Sequence, residues 1–210
     1  MNKRILRTIP LTVLGTWFIY KLYKSSESDF IFDGFVFLFI GVAGLSFLLW
    51  TILKDKKEYK LTKKLVCYLP TLTGMIFILL ILSLNFYQDR KMNSPTLLSA
   101  FYDGGFNGFS IDLKDDGNYV MANGSGLGQY YLYGTYTILD SIITLDKSNI
   151  DNIIKTNRLA ISTSQYFLPL DSTKLSDKPK ANYITQIDKN GKEIEKEFRL
   201  RITKDNRTIH

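Results

Sequence analysis

The sequence predicts a membrane-anchored all-β protein, in which an N-terminal helical transmembrane region is followed by a small antiparallel β-barrel of about eight strands. Two long apolar runs support the first part of this prediction. After Gln88 the pattern changes to short segments in which apolar and polar residues alternate, which is typical of half-buried strands. We therefore divide the chain into a transmembrane region, 1–91, a hinge, 92–95, and a β-barrel ligand-binding domain, 96–210.

The transmembrane region contains two strong candidate spans, 30–53 and 65–87. At about 1.5 Å per helical residue each is roughly 35 Å long, which is enough to cross a hydrocarbon core of about 30 Å. A weaker candidate, 8–23, has only 13 uncharged residues in succession. It crosses only if Lys21 and Lys24 extend their ammonium groups to the headgroups. The sequence thus predicts two or three spans in an inner membrane, with membrane lipid as a partner.

The number of spans decides on which side of the membrane the barrel lies. The loop predicted at 54–64 holds six Lys and two acids, and the N-terminus is basic as well. With three spans, both basic segments are cytoplasmic and the barrel faces outward, in agreement with the positive-inside rule. With two spans, a cytoplasmic barrel places the Lys-rich loop outside. Charge counting therefore favours three spans and an outward barrel.

The net charge of +7 does not indicate a surface for duplex nucleic acid, because the excess lies beside the membrane. Residues 1–91 hold 13 Lys/Arg against 6 Asp/Glu, whereas residues 92–210 hold 14 of each. Cys67, in the second strong span, is the one cysteine, and His210 is the one histidine. Most histidine- and cysteine-based chemistry is therefore excluded. We expect a protein that is not an enzyme, with no catalytic residue, metal site or cofactor.

Hairpin signals in the sequence divide the β domain into strands and turns. Apolar residues alternate over 109–114, and the Asp-Asp-Gly sequence at 115–117 is a strong turn signal. We predict a flexible glycine-rich loop at 123–128, a polar insertion at 171–180 and a final strand at 193–203. Regular hairpins without long helices between them indicate a meander that closes into a barrel, with a sandwich as the alternative.

Aromatic residues on the predicted strand 129–139 are candidates for ligand binding. Alternation places Tyr131 and Tyr133 on the same side of this strand. Tyrosines combined with arginines from other strands can stack on bases and bind phosphate oxygens. The alternative is ordinary barrel packing, with the hydroxyl groups at the rim. The candidate ligand-binding residues are Tyr131, Tyr133, Arg158, Arg199 and Arg201.

Two stretches carry a resemblance to known proteins. At Asp116-Gly-Asn-Tyr119 and at Gly134-Thr-Tyr-Thr-Ile-Leu-Asp-Ser-Ile-Ile-Thr-Leu145 the chain resembles small lipocalin-like barrels. The layout of N-terminal spans followed by a minimal β-barrel is also similar to that of CBASS antiphage effectors. This second resemblance covers layout and length and includes no catalytic motif. It implies a cytoplasmic barrel, in conflict with the charge count.

Two functions are therefore expected. The leading hypothesis, implied by the CBASS resemblance, is a ligand-gated membrane effector of antiphage defence. Its barrel binds a cyclic nucleotide, and the resulting homo-oligomer disrupts the inner membrane. The alternative, which follows from the charge count, is an envelope protein whose outward-facing lipocalin-like barrel binds a lipid or a protein partner.

Overall fold

Three helices form the N-terminal part of the protein, as seen in a computed structural model that describes residues 3–165, 180–195 and 198–207. The chain divides into two compact units, Met1–Met92 and Asn93–His210. The helical elements and the short extended segment between the first two helices are α1 (Lys3–Ser25), β1 (Ser28–Phe30), α2 (Asp33–Thr62), a 3-10 turn (Leu65–Tyr68) and α3 (Leu69–Met92).

The helices α2 and α3 are long and apolar enough to cross a membrane, and only 17% of the most apolar window of each is buried. Both helices begin three or four residues after the predicted start of the span and extend beyond its predicted C-terminal end. The predicted loop at 54–64 is helical as far as Thr62, since its Lys and Glu residues are good helix formers. The helix ends at Lys63, which adopts a left-handed conformation (φ 54°) and donates its backbone N–H to the Tyr59 carbonyl.

The weak span predicted at 8–23 lies within α1, which is a continuous helix of 23 residues. At about 1.5 Å per residue α1 is roughly 34 Å long, close to the length of the apolar part of its neighbours. The helix incorporates Lys21 and Lys24 in its last turns. Lys21 forms an ion pair with Asp33 at the start of α2, with 2.6 Å between Nζ and Oδ1.

Small residues let the helices approach closely. A Cβ atom added to Gly15 of α1 would lie 2.4 Å from the Phe77 ring of α3, and one added to Gly74 would lie 2.4 Å from a methyl group of Leu48. At both positions glycine leaves room for a large side chain of the neighbouring helix to pack against the backbone. A cavity of about 290 Å³ between the three helices is lined by apolar side chains and glycines.

A buried polar cluster joins the helices at one end of this unit. Asp55 is fully buried, and its Oδ2 accepts hydrogen bonds from the backbone N–H and the hydroxyl of Thr71, at 3.1 and 2.7 Å. Arg7 Nη2 lies 3.0 Å from Asp55 Oδ1 and 2.6 Å from Glu58 Oε2. Arg4 reaches the other oxygen of Glu58 at 2.7 Å. The start of α1, the end of α2 and the start of α3 therefore share one network.

Among the described residues of the C-terminal unit, eight antiparallel strands close into a barrel, which confirms the predicted strand number and architecture. The sheet runs β5-β4-β3-β2-β9-β8-β7-β6, and pairing of β6 with β5 closes it. The strands are β2 (Thr96–Gly104), β3 (Asn107–Lys114), β4 (Asn118–Ser125), β5 (Gly128–Leu139), β6 (Ile142–Leu145), β7 (Arg158–Gln165), β8 (Lys180–Gln186) and β9 (Leu200–Asp205).

The barrel interior is a packed apolar core. Alternate residues of the strands point inward, and Leu98, Ile111, Met121 and Ile143 are fully buried. Tyr136 also lies in the core, where its hydroxyl donates a hydrogen bond of 2.6 Å to a backbone carbonyl. Burial raises the pKa of this tyrosine, and nearby carboxylates raise it further. The interior of this barrel is therefore occupied by its own side chains.

Two predicted boundaries differ from the structure. The segment at 123–128, predicted as a flexible loop, belongs mostly to β4 and β5, which pair as far as Ser125 and Gly128. The final strand, predicted at 193–203, begins only at Leu200. Before it, Glu193 makes an isolated bridge with Ile187. The polar insertion predicted at 171–180 lies, apart from its last residue, outside the described residues.

Candidate ligand-binding cleft on the barrel

A cleft of about 270 Å³ lies on the outer surface of the barrel, across strands β2 to β5. It is near the end of the barrel that carries the β2–β3 and β4–β5 hairpin turns, which are neighbours because β3 pairs with β4. The residues that line it are Phe101, Asp103, Gly105, Phe106, Gly108, Ser110, Ala122, Gly124, Ser125, Gly126 and Gln129.

Strand register explains the shape of the cleft. Gly108 of β3 pairs with Gly124 of β4, and the next outward pair along these strands is Ser110 with Ala122. Four small residues in the two central strands therefore form a low floor. Larger side chains rise on both sides, from Asp103 and Phe101 in β2 and from Gln129 in β5. Strands β2 and β5 are three strand spacings apart, roughly 14 Å.

Glycine is required in this floor. A Cβ atom on Gly108 would lie 2.7 Å from the Phe101 ring, so the ring rests against the bare backbone of β3. A Cβ atom on Gly124 would lie 2.3 Å from the Gly128 carbonyl oxygen. Because the obstacle at Gly124 is backbone, a side chain there requires the β4–β5 hairpin to move. Glycine inside strands is typical of positions where another group approaches the backbone closely.

The chemistry of the cleft combines aromatic and polar groups. Phe106, at the β2–β3 turn, is 75% exposed, and Phe101 is 42% exposed. The Asp103 carboxylate accepts a hydrogen bond from the Gly105 N–H at 2.9 Å, which holds it at the same turn. Gln129 adds an amide on the opposite wall, where it donates to the Tyr131 hydroxyl. Aromatic faces with a few placed polar groups are typical of small-molecule sites.

The predicted binding residues all lie outside the barrel core, but in different parts of the barrel. Tyr131 and Tyr133 occupy outward positions of β5, because the alternate residues Leu132 and Tyr136 contact the core. Tyr131 is opposite Ala122 in the register and thus borders the cleft. The backbone carbonyl of Tyr133 accepts a hydrogen bond of 2.8 Å from Lys147.

The three predicted arginines have separate surroundings. Arg201 of β9 is opposite Phe101 and is exposed, so it lies on the far side of the Phe101 wall. Arg199 makes a bidentate ion pair with Glu193, at 2.8 and 2.9 Å, and this pairing raises its pKa although partial burial opposes the shift. Arg158, on β7, donates to the Lys189 carbonyl at 3.0 Å. The structure thus brings Tyr131 and Arg201 to the two sides of the cleft, and does not gather all five residues.

None of the residues that line the cleft, Phe101, Asp103 and Phe106 among them, belongs to the five predicted binding residues. The available signal was the recurrence of glycine near two consecutive hairpin turns, at 104–108 and 124–128. Pairing of those hairpins places the glycines side by side. Among the described residues, no group of three or more His, Cys, Asp or Glu side chains is arranged to hold a metal ion.

Comparison with protein-family models, curated proteins and solved structures finds no match to this chain. The two apolar helices and the closed barrel are compatible with the architecture of the CBASS effectors, and no family relationship to them is found. The function of the chain is therefore inferred from its own geometry.

Proposed function

We propose that the protein is a membrane-anchored binding module, with three spans and a barrel that faces away from the cytoplasm. The surface of the helical unit supports the anchoring. Large apolar side chains such as Phe39, Leu49 and Leu79 are 72%, 63% and 62% exposed. In water such a surface would be very unfavourable, whereas in hydrocarbon it is the expected outer face of a helical bundle.

The contacts of α1 carry the proposal that three helices cross. Its first turns join the polar cluster at the end of α2, through Arg7 and Glu58. Its last turns reach the opposite end of the bundle, where Lys21 pairs with Asp33 and the Leu22 carbonyl accepts a hydrogen bond of 2.9 Å from Gln88. Since α1 spans the full length between these ends, a bilayer crossed by α2 and α3 is crossed by α1 as well.

The distribution of charge supports an outward barrel. The end of the bundle with the N-terminus and 54–64 carries nine Lys/Arg, whereas the other end carries four, at 21, 24, 90 and 91. The positive-inside rule assigns the more basic end to the cytoplasm. The last helix, α3, leaves the bundle at the less basic end. We therefore propose that the barrel is outside, where its surface cleft meets a ligand or partner.

Topology reporters test this proposal. Alkaline phosphatase, which is active only outside the cytoplasm, and a fluorescent protein that folds only inside are each fused after the barrel. Fusions at Thr62 provide the matched control for the opposite end of the bundle. We expect phosphatase activity after the barrel and fluorescence at Thr62. Fluorescence of the barrel fusion would contradict the proposal.

That contrary result would favour the cyclic-nucleotide effector predicted from the CBASS resemblance, since such a ligand is cytoplasmic. The surroundings of Tyr131 and Arg201 give that alternative a specific test. Titration of the full chain with a panel of cyclic nucleotides should then show binding that Arg201→Ala weakens, together with ligand-dependent homo-oligomers. A barrel on the cytoplasmic side that binds no member of the panel would leave neither function supported.

A further inference from the structure

We infer that the outer cleft of the barrel binds a ligand through a positively charged ammonium group. This inference rests on the proposed function, since it names the ligand class of the same binding module. It follows from the arrangement of two exposed phenylalanine rings and one carboxylate in a shallow cleft. The same ligand chemistry occurs in lipid headgroups and in free amines, so the experiment below separates these two sources.

The aromatic residues supply the first observation. Phe101 and Phe106 both line the cleft, and both rings are substantially exposed. Phe101 is held in place from below, because its ring rests on the backbone of Gly108. An aromatic face attracts a cation within about 6 Å of its centre, and quaternary ammonium groups are recognised in this way. A ring fixed by the glycine floor needs little ordering when a ligand binds.

The charge of the lining supplies the second observation. Asp103 is the one charged residue among the described residues that line the cleft. Its carboxylate is oriented by the Gly105 N–H, and an ordered carboxylate beside aromatic rings favours a cation and disfavours a phosphate or carboxylate. Arg201 lies across the Phe101 wall, outside the lining.

The size and remaining polarity of the cleft supply the third observation. Its volume of about 270 Å³ suits a small headgroup better than a large ligand such as a dinucleotide. The small residues Ser110 and Ala122 keep the floor low beside the Phe101 ring, which covers Gly108, so a ligand can lie against that ring. Gln129 and Ser125 provide neutral donors and acceptors for a hydroxyl group next to the cation. Choline, with one quaternary ammonium group and one hydroxyl group, fits this chemistry.

The experiment measures choline binding by calorimetry to the full chain in phosphatidylglycerol nanodiscs. The neutral isostere 3,3-dimethylbutan-1-ol, which has the same shape without the charge, is the matched probe. We expect choline to bind and the isostere to bind at least about tenfold more weakly, as expected for loss of a cation–π contact and a carboxylate partner. Equal binding of the two probes, or binding of neither, would overturn the inference.

Two pairs of variants locate the site. Asp103→Asn keeps an oxygen that accepts the Gly105 N–H but removes the charge, and Asp112→Asn makes the same change elsewhere on the outer surface of β3. Phe106→Ala is matched with Leu127→Ala, an exposed apolar residue at the neighbouring turn and outside the lining. Only the cleft variants should weaken choline binding, by about fivefold or more. Equal effects within either pair would contradict the assignment.

A change of lipid separates the two sources of the ammonium group. In nanodiscs of equal phosphatidylglycerol content, in which the remaining lipid is either phosphatidylcholine or an uncharged glycolipid, a lower apparent affinity for free choline with phosphatidylcholine shows that headgroups compete for the cleft, whereas an equal affinity shows that the ligand is a free amine. Both results support ammonium recognition. The reporter fusions test independently on which side of the membrane the barrel lies. If the fusions place the barrel outside and the protein binds choline no better than its isostere, the proposed ligand class is refuted and the proposed function is not.

Discussion

Removal of the Asp55 carboxylate should destabilise the helical unit strongly. Asp55 is fully buried, and it contacts both Arg7 and Thr71. In Asp55→Ala the Arg7 guanidinium, itself only 8% exposed, loses one of its two acidic partners. Loss of one member of a buried ion pair costs about 3–5 kcal/mol. We expect the lower end, about 3 kcal/mol, because Glu58 remains next to Arg7.

Two further variants separate the contributions. Asp55→Asn keeps an oxygen that accepts from Thr71 but removes the charge, so its difference from Asp55→Ala reports the two Thr71 hydrogen bonds. Interhelical hydrogen bonds of this kind contribute about 0.6 kcal/mol each on average. Glu27→Ala is the control, because the Lys24–Glu27 pair has an ordinary length of 2.7 Å but its side chains are about half exposed, at 50% and 46%. Exposed ion pairs contribute about 0.2–1 kcal/mol.

The assay is reversible unfolding of the full chain in mixed micelles with increasing dodecyl sulfate, followed by the helical circular-dichroism signal. The ranking expected is Asp55→Ala least stable, Asp55→Asn next, and Glu27→Ala close to the unmodified protein. If Asp55→Ala is no less stable than Glu27→Ala, the buried cluster does not hold the helices together, and the inference of three joined helices fails.

Three predictions concern the barrel, each measured by unfolding of the full chain. Gly134→Ala should destabilise by about 1–3 kcal/mol through overpacking, because the added Cβ would lie 2.4 Å from the Tyr119 ring; a value near zero would show that the ring moves aside freely. Ile143→Ala should cost about 2–5 kcal/mol, since this side chain is fully buried in the core, and a smaller loss would contradict the packed interior. The hydrogen bond from Arg207 lowers the pKa of Asp205 in the folded protein. The stability that this carboxylate contributes is therefore present above its unfolded-state pKa of about 3.9, and it is lost as the pH falls through the lower folded-state pKa. Asp205→Asn should therefore reduce the loss of stability on acidification, and an unchanged pH profile would show that the pair contributes nothing.

The candidate site was only partly predictable from sequence. Alternation along β5 correctly grouped Tyr131 and Tyr133 on one side of the strand, but it did not show that this side is the outer surface. The pairing of β2 with β9, which places Arg201 beside Phe101, joins residues that are far apart in the sequence. Such non-local register depends on how the whole barrel closes, and a local pattern does not contain it.

The sequence by itself determined the two classes of structure and their order. Continuous apolar runs at 30–53 and 65–87 indicate helices long and apolar enough to cross a membrane, and a two-residue period with Gly-containing turns indicates short antiparallel strands after Pro95. These are local properties, because solvent and backbone geometry impose them on each segment separately. Tertiary structure decided the rest. Contacts at both ends of α1 make the weakest apolar segment a full member of the bundle, and strand register aligns four small residues into a cleft floor. Both outcomes require side chains from distant segments to meet.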